Sequence, residues 1–346
     1  MPGAISILST VISALNRVKG STDQAAVVHL VTGFLGSGKT SLLQRHLAAA
    51  PDEATAIVIN EFGTVGLDHR LVVAGDMPIR VLEDGCLCCS VADGLRECLR
   101  GLLASRKRPG LRPLRRLIIE TSGLACPAPI LNTIRSDYAL NEYIRIGAVV
   151  ATLDAVNGLE SLARFPEGAQ QLCSADRILV TKADLVDAAR VTATVAHARA
   201  LNSLAAVEVA YRTNFDAATL FALDADRSPL AASAVVPVTH TGFSSFSLSH
   251  VQPVDWARFS MWLTALLNRH GRSVLRFKGI LALRDQAQPV VLHGVQHLMY
   301  PPRHLDRMPE GQTGSKMVFI VQGIDPQAIA RSLDRFLSEP AVLRAA

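Results

Sequence analysis

Short apolar runs alternate with amphipathic stretches between Ala25 and about Asp226. The runs AVVHLVT, TAIVIN, IRVLE, RRLIIET, IRIGAVVATLD, DRILVTKAD and AAVEVAYR predict strands, and residues 39–50 and 90–105 predict helices between them. Consecutive apolar positions are typical of strands buried on both faces, and their alternation with helices indicates a doubly wound, mostly parallel sheet. We therefore predict one α/β domain over residues 25–226, preceded by an N-terminal extension of residues 1–24.

The alternation ends in the segment RSPLAASAVVP, and we predict a linker at residues 227–238. The strands SSFSLS, VLRFKGILAL, PVVLHGVQHLMY and KMVFIVQG then follow, with helices predicted over 254–270 and 326–337. Strands that succeed one another without helices between them predict a smaller α+β domain over 239–346 with a largely antiparallel sheet. His293 and His297 are predicted to share one face of a strand, and a core or surface role is favoured over metal ligation.

The composition excludes several classes of protein. Hydrophobic residues make up 49% of the 346 residues and charged residues 19%, which is too apolar for a disordered chain. The net charge of +5 is spread along the chain, and we interpret the basic segment 106–116 as a solvated loop, so no nucleic-acid partner is predicted. The longest apolar stretches have about ten residues and the N-terminus lacks a signal-peptide pattern, so we expect a cytoplasmic protein without a membrane partner.

The segment GFLGSGKT, between a predicted strand and a predicted helix, matches the phosphate-binding pattern G-x-x-x-x-G-K-[ST]. Its glycines allow backbone N–H groups to turn toward phosphate oxygens. Lys39 is predicted to reach the β- and γ-phosphates, and the Thr40 hydroxyl is predicted to ligate Mg²⁺. The predicted phosphate-binding set is Gly33, Gly36, Ser37, Gly38, Lys39, Thr40 and Ser41.

Two other strand ends supply what a phosphate loop requires. The strand RRLIIE ends at Glu120, a carboxylate for Mg²⁺ or its water, and Gly123 offers an N–H group to the γ-phosphate. The strand DRILV ends in Thr181-Lys182-Ala183-Asp184, where GTPases have Asn-Lys-x-Asp. Asp184 is predicted to accept two hydrogen bonds from guanine that adenine cannot donate, with Lys182 along the base. These residues favour GTP over ATP, although Thr181 shortens the usual asparagine brace to a hydroxyl.

Three cysteines, Cys86, Cys88 and Cys89, lie between a predicted strand and a predicted helix. Backbone N–H groups and the helix dipole at a helix start stabilise thiolates, the form that binds metal. Three thiolates suit Zn²⁺ or Co²⁺, with the higher affinity for Zn²⁺, and a fourth position open to exchange is typical of transfer rather than structure. A buried trio of small side chains and a redox site remain as alternatives. The isolated Cys98, Cys126 and Cys173 are predicted to be inert.

The segment NEFGTVGLDH lies between the phosphate loop and the cysteines, where a switch segment follows the first helix and strand. Glu61 is a candidate sensor of Mg²⁺ or the γ-phosphate, and Asp68 or His69 is a candidate to approach the thiolates. A plain loop is the alternative.

The motifs GFLGSGKT, NEFGTVGLDH, EDGCLCC, ETSGLACPAPI and TKADL occur in the order seen in the CobW family of metallochaperone GTPases, which the chain resembles. The resemblance extends over about residues 26–340 and implies a P-loop fold followed by a CobW-type C-terminal domain. It also implies a GTP-dependent delivery cycle, in which Mg²⁺ and GTP order the switch, the thiolates capture a divalent metal and hydrolysis releases it to a client apo-metalloprotein or cofactor-biosynthesis enzyme. Lys39, Glu120 and Glu61 are the candidate catalytic residues, and slow intrinsic turnover is expected.

Three residues depart from the family pattern. Thr64 stands where many relatives have an acidic residue, Cys126 where aspartate is usual, and Thr181 where asparagine is usual. Thr64 bears on how Mg²⁺ or the transported metal is coupled to the switch segment. Cys126 adds a thiol near the nucleotide, and Thr181 bears on the affinity for the guanine base. Two other functions remain open: a nucleotide-gated metal sensor or store without delivery, and a protein-activating NTPase whose cysteines are structural.

Overall fold

The computed structural model describes residues 25–49, 55–60, 79–82, 90–105, 114–211, 217–221, 238–240 and 242–338. These residues form two compact units, one over 25–221 and one over 238–338. The predicted N-terminal extension, most of the predicted linker, Glu61, Thr64 and the cysteine cluster lie outside the described residues. No helix among the described residues is both long enough and apolar enough to cross a membrane.

The first unit is built on a parallel sheet in the order β3-β2-β4-β1-β5-β6-β7. Its strands are β1 (Ala26–Gly33), β2 (Thr55–Asn60), β3 (Ile79–Leu82), β4 (Arg116–Glu120), β5 (Ile144–Asp154), β6 (Arg177–Thr181) and β7 (Ala206–Val209). Every residue of β1 and β4 is buried, as their unbroken apolar runs predict. The predicted doubly wound α/β fold is confirmed.

Helices connect these strands. They are α1 (Lys39–Ala49), α2 (Ser90–Ser105), α3 (Pro127–Ser136), α4 (Tyr138–Tyr143), α5 (Gly158–Arg164), α6 (Pro166–Ser174), α7 (Ala188–Leu201) and α8 (Ala217–Leu220). Local chemistry fixes several starts: Asp187 caps α7 by accepting a hydrogen bond from the N–H of Arg190 at 2.7 Å, and Pro127 and Pro166 begin their helices. The first-unit core includes Leu42 and Leu43 of α1, packed with apolar residues of β1, β2 and β4.

The sheet order brings the functional strand ends together. β1 lies between β4 and β5, and the register pairs Val31 with Glu120 and Gly33 with Thr152. Asp154, at the end of β5, pairs with Thr181 at the end of β6. Because all these strands are parallel, their carboxyl ends meet at one edge of the sheet, which is where open α/β folds bind ligands.

The second unit contains an antiparallel sheet in the order β12-β11-β10-β14-β9-β8, with β13 paired to β11. The strands are β8 (Val238–His240), β9 (Phe243–His250), β10 (Val274–Leu281), β11 (Val290–Val295), β12 (Leu298–Met299), β13 (Arg303–His304) and β14 (Ser315–Gln322), and the helices are α9 (Trp256–His270) and α10 (Pro326–Ser338). Phe259, Trp262, Phe277, Phe319 and Leu333 belong to its core. The predicted α+β architecture is confirmed.

One predicted strand is wrong in this unit. The run PVVLHGVQHLMY forms a hairpin rather than one strand: Gly294 pairs with Met299 and Val295 with Leu298, and Gln296 in the turn has a φ of +51°. His293 is buried on β11 opposite Lys278, whereas His297 is exposed in the turn. The two histidines therefore do not share a strand face.

Candidate functional site: a nucleotide-binding edge

The phosphate loop joins β1 to α1, and close packing requires glycine at its start. Gly33 has a φ of +141°, and a Cβ atom there would lie 2.6 Å from the carbonyl oxygen of Thr152 and 2.7 Å from Ser37 Oγ. The Ser37 and Thr152 hydroxyl oxygens are 2.6 Å apart and share a buried hydrogen bond. The loop is thereby fixed to the end of β5.

Lys39 carries the positive charge of this loop. Its side chain is buried, and Nζ donates to the carbonyl oxygens of Gly33 at 3.0 Å and Phe34 at 3.3 Å. The ammonium group therefore lies along the first residues of the loop, beside the backbone that the pattern predicts to surround phosphate.

Thr40 and Glu120 form a direct contact between the loop and β4. Thr40 Oγ1 donates to Glu120 Oε1 at 2.8 Å, and the Glu120 side chain is 4% exposed. A hydroxyl and a carboxylate are oxygen ligands of the kind that Mg²⁺ prefers. The structure thus brings together the two residues that the sequence assigns to Mg²⁺.

The turn after β4 packs on the phosphate loop. Thr121 donates its hydroxyl to Thr32 Oγ1 at 3.0 Å and its N–H to the carbonyl of Val31 at 2.9 Å. Gly123 is buried, and a Cβ atom there would lie 2.6 Å from Leu35 Cδ2. The close approach of Gly123 to Leu35 of the phosphate loop therefore requires a residue without a side chain at position 123.

The Thr181-Lys182-Ala183-Asp184 segment continues the same edge. Thr181 Oγ1 donates to the carbonyl of Ser37 at 2.7 Å, so the hydroxyl reaches the phosphate loop in place of a longer amide. Lys182 adopts a left-handed conformation with a φ of +55°, and its Nζ lies 2.6 Å from Asp154 Oδ2. Asp184 is exposed in a short 3₁₀ turn over Ala183–Leu185.

A cavity of about 310 Å³ lies between this segment and α1. Its wall includes Gly38 and Ser41 on one side and Lys182, Asp184 and Ala210 on the other. The predicted base-reading residues therefore border a concave space next to the phosphate loop.

Two family models match the chain. The model described as CobW/HypB/UreG, nucleotide-binding domain, matches residues 27–208, and the model described as cobalamin synthesis protein cobW C-terminal domain matches residues 243–337. The chain belongs to the CobW/HypB/UreG family. The predicted P-loop GTPase of the CobW family is therefore confirmed.

Individual relatives extend the match over most of the chain. The zinc chaperone YjiA of Escherichia coli is 31% identical over 278 residues, which cover 78% of this chain and 86% of YjiA. The zinc chaperone CobW of Pseudomonas aeruginosa is 29% identical, covering 88% and 90%. A crystal structure of Zn(II)-bound YjiA GTPase from E. coli has a TM-score of 0.71 at 26% identity and covers 91% of this chain and 99% of that chain.

The three cysteines predicted to bind a transition metal in this CobW-family member lie outside the described residues, and so does Glu61. Cys86, Cys88 and Cys89 fall between the end of β3 at Leu82 and the start of α2 at Ser90, and Glu61 follows β2. Within the described ranges, no group of three His, Cys, Asp or Glu side chains is arranged to hold a metal ion.

The other three cysteines differ in their surroundings. Cys98 and Cys126 are partly exposed, on α2 and at the N-cap of α3. Cys173 is buried, and burial raises the pKa of its thiol to about 12. Cys173 is therefore a neutral thiol and an unsuitable metal ligand.

Three contacts at this edge were not predicted from the sequence. Asp154 accepts a hydrogen bond from Lys182 Nζ, Thr152 shares a hydrogen bond with Ser37, and Gln171 of α6 donates to the carbonyl oxygens of Gly123 and Ala125. Thr152 and Asp154 stand at the end of a predicted parallel strand, which is a usable signal. Gln171 lies inside a helix and carries no comparable signal.

Proposed function

We propose that the chain is a GTP-hydrolysing metallochaperone that binds Zn²⁺ or Co²⁺ at Cys86, Cys88 and Cys89 in its Mg²⁺–GTP state and delivers the metal to a client protein. The observation that carries the proposal is the convergence of the phosphate loop, the Thr40–Glu120 pair and the Lys182–Asp184 segment at one sheet edge. The relatives named zinc chaperones support zinc as the cargo.

Guanine recognition is assigned to the end of β6. Asp184 borders the 310 Å³ cavity with its carboxylate exposed, available to accept hydrogen bonds from the guanine N1–H and N2–H₂ groups. Lys182, held by Asp154 at 2.6 Å, would lie along the base. Adenine lacks this pair of donors, so the same carboxylate selects against ATP.

Mg²⁺ fits the Thr40–Glu120 pair. Thr40 Oγ1, at the end of the phosphate loop, and Glu120 Oε1 lie 2.8 Å apart. The Glu120 carboxylate supplies the negative charge that a hard cation such as Mg²⁺ requires. When bound, Mg²⁺ would neutralise charge on the β- and γ-phosphates. Glu120 and Thr40 would hold the ion or its water ligands.

Hydrolysis then depends on positioning and charge. Lys39 neutralises negative charge that develops on the phosphate oxygens, and Gly123 offers its N–H to the γ-phosphate. Glu61 and Glu120 are the candidates for orienting the attacking water. Because no strong base is assigned to that water, we expect slow turnover without a partner protein.

Metal capture is assigned to the three thiolates. Cysteine thiolates are soft ligands that suit Zn²⁺ and Co²⁺, and the Irving–Williams order favours Zn²⁺. Three ligands from one segment leave a fourth position open for a client ligand. Retention of the metal without transfer would instead make the protein a nucleotide-gated sensor or store.

Titration of the reduced protein with Co²⁺ tests this proposal. We expect a thiolate-to-cobalt charge-transfer band and intense tetrahedral d–d bands with Mg²⁺ and a non-hydrolysable GTP analogue, and much weaker bands with Mg²⁺ and GDP. The triple variant C86S/C88S/C89S should lose the bands, whereas Cys98→Ser, which changes a partly exposed cysteine on α2, should retain them.

The outcomes separate the three functions. Nucleotide-gated bands followed by transfer of metal to an apo-protein support the chaperone. Gated bands without transfer to any apo-protein support a sensor or store. Absence of a thiolate band in every nucleotide state contradicts metal binding by the cluster and leaves an NTPase with structural cysteines.

A further inference from the structure

The amide of Gln171 on α6 contacts the turn that follows β4. Gln171 is fully buried, at 0% exposure, and its Nε2 donates to the carbonyl oxygen of Gly123 at 3.0 Å and to that of Ala125 at 3.1 Å. Gly123 and Ala125 lie 48 and 46 positions before Gln171 in the sequence. One side chain thus binds two backbone carbonyls of a single turn.

The same turn is the one that touches the phosphate loop. Gly123 packs against Leu35, and the N–H of Ala125 donates to the carbonyl of Ser122 at 3.0 Å to close the turn. Thr121 ties the start of the turn to β1 through the carbonyl of Val31. The backbone of residues 121–125 is therefore held between β1 at its start and Gln171 at its end.

Gln171 and the phosphate loop line the same cavity. This cavity has a volume of about 110 Å³, and its wall includes Phe34, Leu35 and Ser37. Gln171 Oε1 is buried and makes no hydrogen bond within the described part of the chain. A buried acceptor without a partner is unfavourable, and reversing the amide would place Oε1 against two carbonyl oxygens. The orientation of the Gln171 side-chain amide is therefore set by the two hydrogen bonds that Nε2 donates.

We propose that Gln171 is a positioning residue for the γ-phosphate. It fixes the main chain at residues 123–125 so that the N–H of Gly123 meets the γ-phosphate, and it thereby sets the preference for GTP over GDP. This inference rests on the role proposed above for Gly123. GDP has no γ-phosphate, so loss of the positioning weakens GTP binding selectively.

The test compares two buried amides: Gln171, which lies on α6, and Asn202, which follows α7 and donates hydrogen bonds to the end of α6. Gln171→Met keeps most of the side-chain volume and removes both donors. Asn202→Leu is the matched control, because Asn202 is also 0% exposed and its Nδ2 donates to the carbonyls of Leu172 at 2.7 Å and Ala175 at 2.9 Å. Affinities for GDP and for a non-hydrolysable GTP analogue are measured with Mg²⁺, and melting temperatures are recorded in parallel.

For Gln171→Met we expect the dissociation constant of the GTP analogue to rise about tenfold while that of GDP stays within about twofold. Asn202→Leu should lower the melting temperature but leave the ratio of the two constants unchanged. A ratio that stays at the wild-type value in Gln171→Met overturns the inference and leaves Gln171 as a stabilising residue.

Two further outcomes are separable. If Gln171→Met does not fold, Gln171→Leu provides a second apolar variant for the same ratio, and an unchanged ratio there also overturns the inference. If the wild-type protein binds neither nucleotide, the proposed GTPase cycle itself is contradicted. If the wild-type protein prefers the GTP analogue over GDP and Gln171→Met keeps the same preference, only the inference about Gln171 is contradicted.

Discussion

Lys182 and Asp154 form an ion pair across two neighbouring strand ends, with 2.6 Å between Nζ and Oδ2. Asp154 is 7% exposed, and its other carboxylate oxygen accepts the N–H of Val156 at 2.7 Å. The lysine is thus oriented by a carboxylate that is itself fixed by the backbone of the following turn. This pair fixes the side-chain direction of Lys182, a residue that also borders the candidate base cavity.

Asp154→Asn is expected to weaken guanine nucleotide binding. The neutral amide no longer attracts the ammonium group, so Lys182 loses its fixed direction beside the base, and the dissociation constants of GTP analogue and GDP should both rise about three- to tenfold. Fluorescence titration with labelled nucleotides measures both constants.

Glu160→Gln is the control for this prediction. Glu160 forms an ion pair with Arg190 at 2.5 Å, but the Glu160 side chain is 57% exposed, and ion pairs screened by solvent contribute little. Nucleotide affinity should stay within about twofold of wild type. Equal effects of the two substitutions would contradict a specific role for Asp154.

Thr181→Val tests the hydroxyl that replaces the usual asparagine. The substitution keeps the shape of the side chain but leaves the buried carbonyl of Ser37 without its donor at 2.7 Å. We expect the free energy of unfolding to fall by about 1 kcal/mol, together with weaker nucleotide binding. Chemical denaturation and nucleotide titration measure the two effects.

Thr192→Val is the matched threonine control. Thr192 donates to the carbonyl of Ala188 within α7 and is exposed, so its loss should change the free energy of unfolding by less than about 0.5 kcal/mol. If Thr181→Val leaves nucleotide affinity unaltered, the hydroxyl does not support the phosphate loop in the bound state.

Glu120→Gln should raise the Mg²⁺ requirement of GTP hydrolysis. The amide oxygen can still accept the hydrogen bond from Thr40, but the negative charge beside the ion is lost, so the Mg²⁺ concentration at half-maximal rate should rise about tenfold. Binding of GDP without Mg²⁺ should stay within about twofold. Glu142→Gln, on the exposed side of α4, should change neither quantity, and an unchanged Mg²⁺ requirement in Glu120→Gln would remove Glu120 from the ion site.

Cys173 should resist thiol reagents in the folded protein. Burial raises the pKa of its thiol to about 12, so at pH 8 only about one molecule in ten thousand carries the reactive thiolate there. Mass spectrometry after brief labelling with a maleimide should find Cys173 unmodified and the partly exposed Cys98 modified. Both should react in denaturant, and rapid labelling of native Cys173 would contradict its burial.

The raised pKa of Cys173 also predicts how the free energy of unfolding changes with pH. Below about pH 9 the thiol is neutral in the folded and unfolded chains, so Cys173 does not change how the free energy of unfolding depends on pH. As the pH rises from about 9 toward 12, the unfolded chain loses this proton first, and the free energy of unfolding falls. Cys173→Ala should reduce that alkaline loss, measured by denaturation at several pH values.

The strand pattern was predictable because parallel strands are buried on both faces and are apolar at consecutive positions. β5 has the predicted bounds, Ile144–Asp154, and α2 has the predicted bounds, Ser90–Ser105. The β11–β12 hairpin was missed because its turn contains Gln296 at a φ of +51° and none of the usual turn residues Gly, Pro, Asn or Asp.

The motif residues at the nucleotide edge were predictable because each lies within a few positions of a strand end. Gln171 was not, since it lies inside a helix and its partner Gly123 is 48 positions away in the sequence. Contacts over such distances depend on how the helices pack on the sheet, which a local pattern does not specify.

The strand order has an evolutionary consequence. β2 and β3, which precede Glu61 and the three clustered cysteines, lie on one side of β1 and β4, whereas β5 and β6, which carry Asp154 and Thr181, lie on the other. The strands that precede the proposed cargo residues and the strands that carry Asp154 and Thr181 thus belong to opposite halves of one sheet, with β1 and the phosphate loop between them. Because these two sets of strands do not pair with each other, we expect that substitutions among the proposed cargo residues can change the preferred metal while nucleotide choice stays the same.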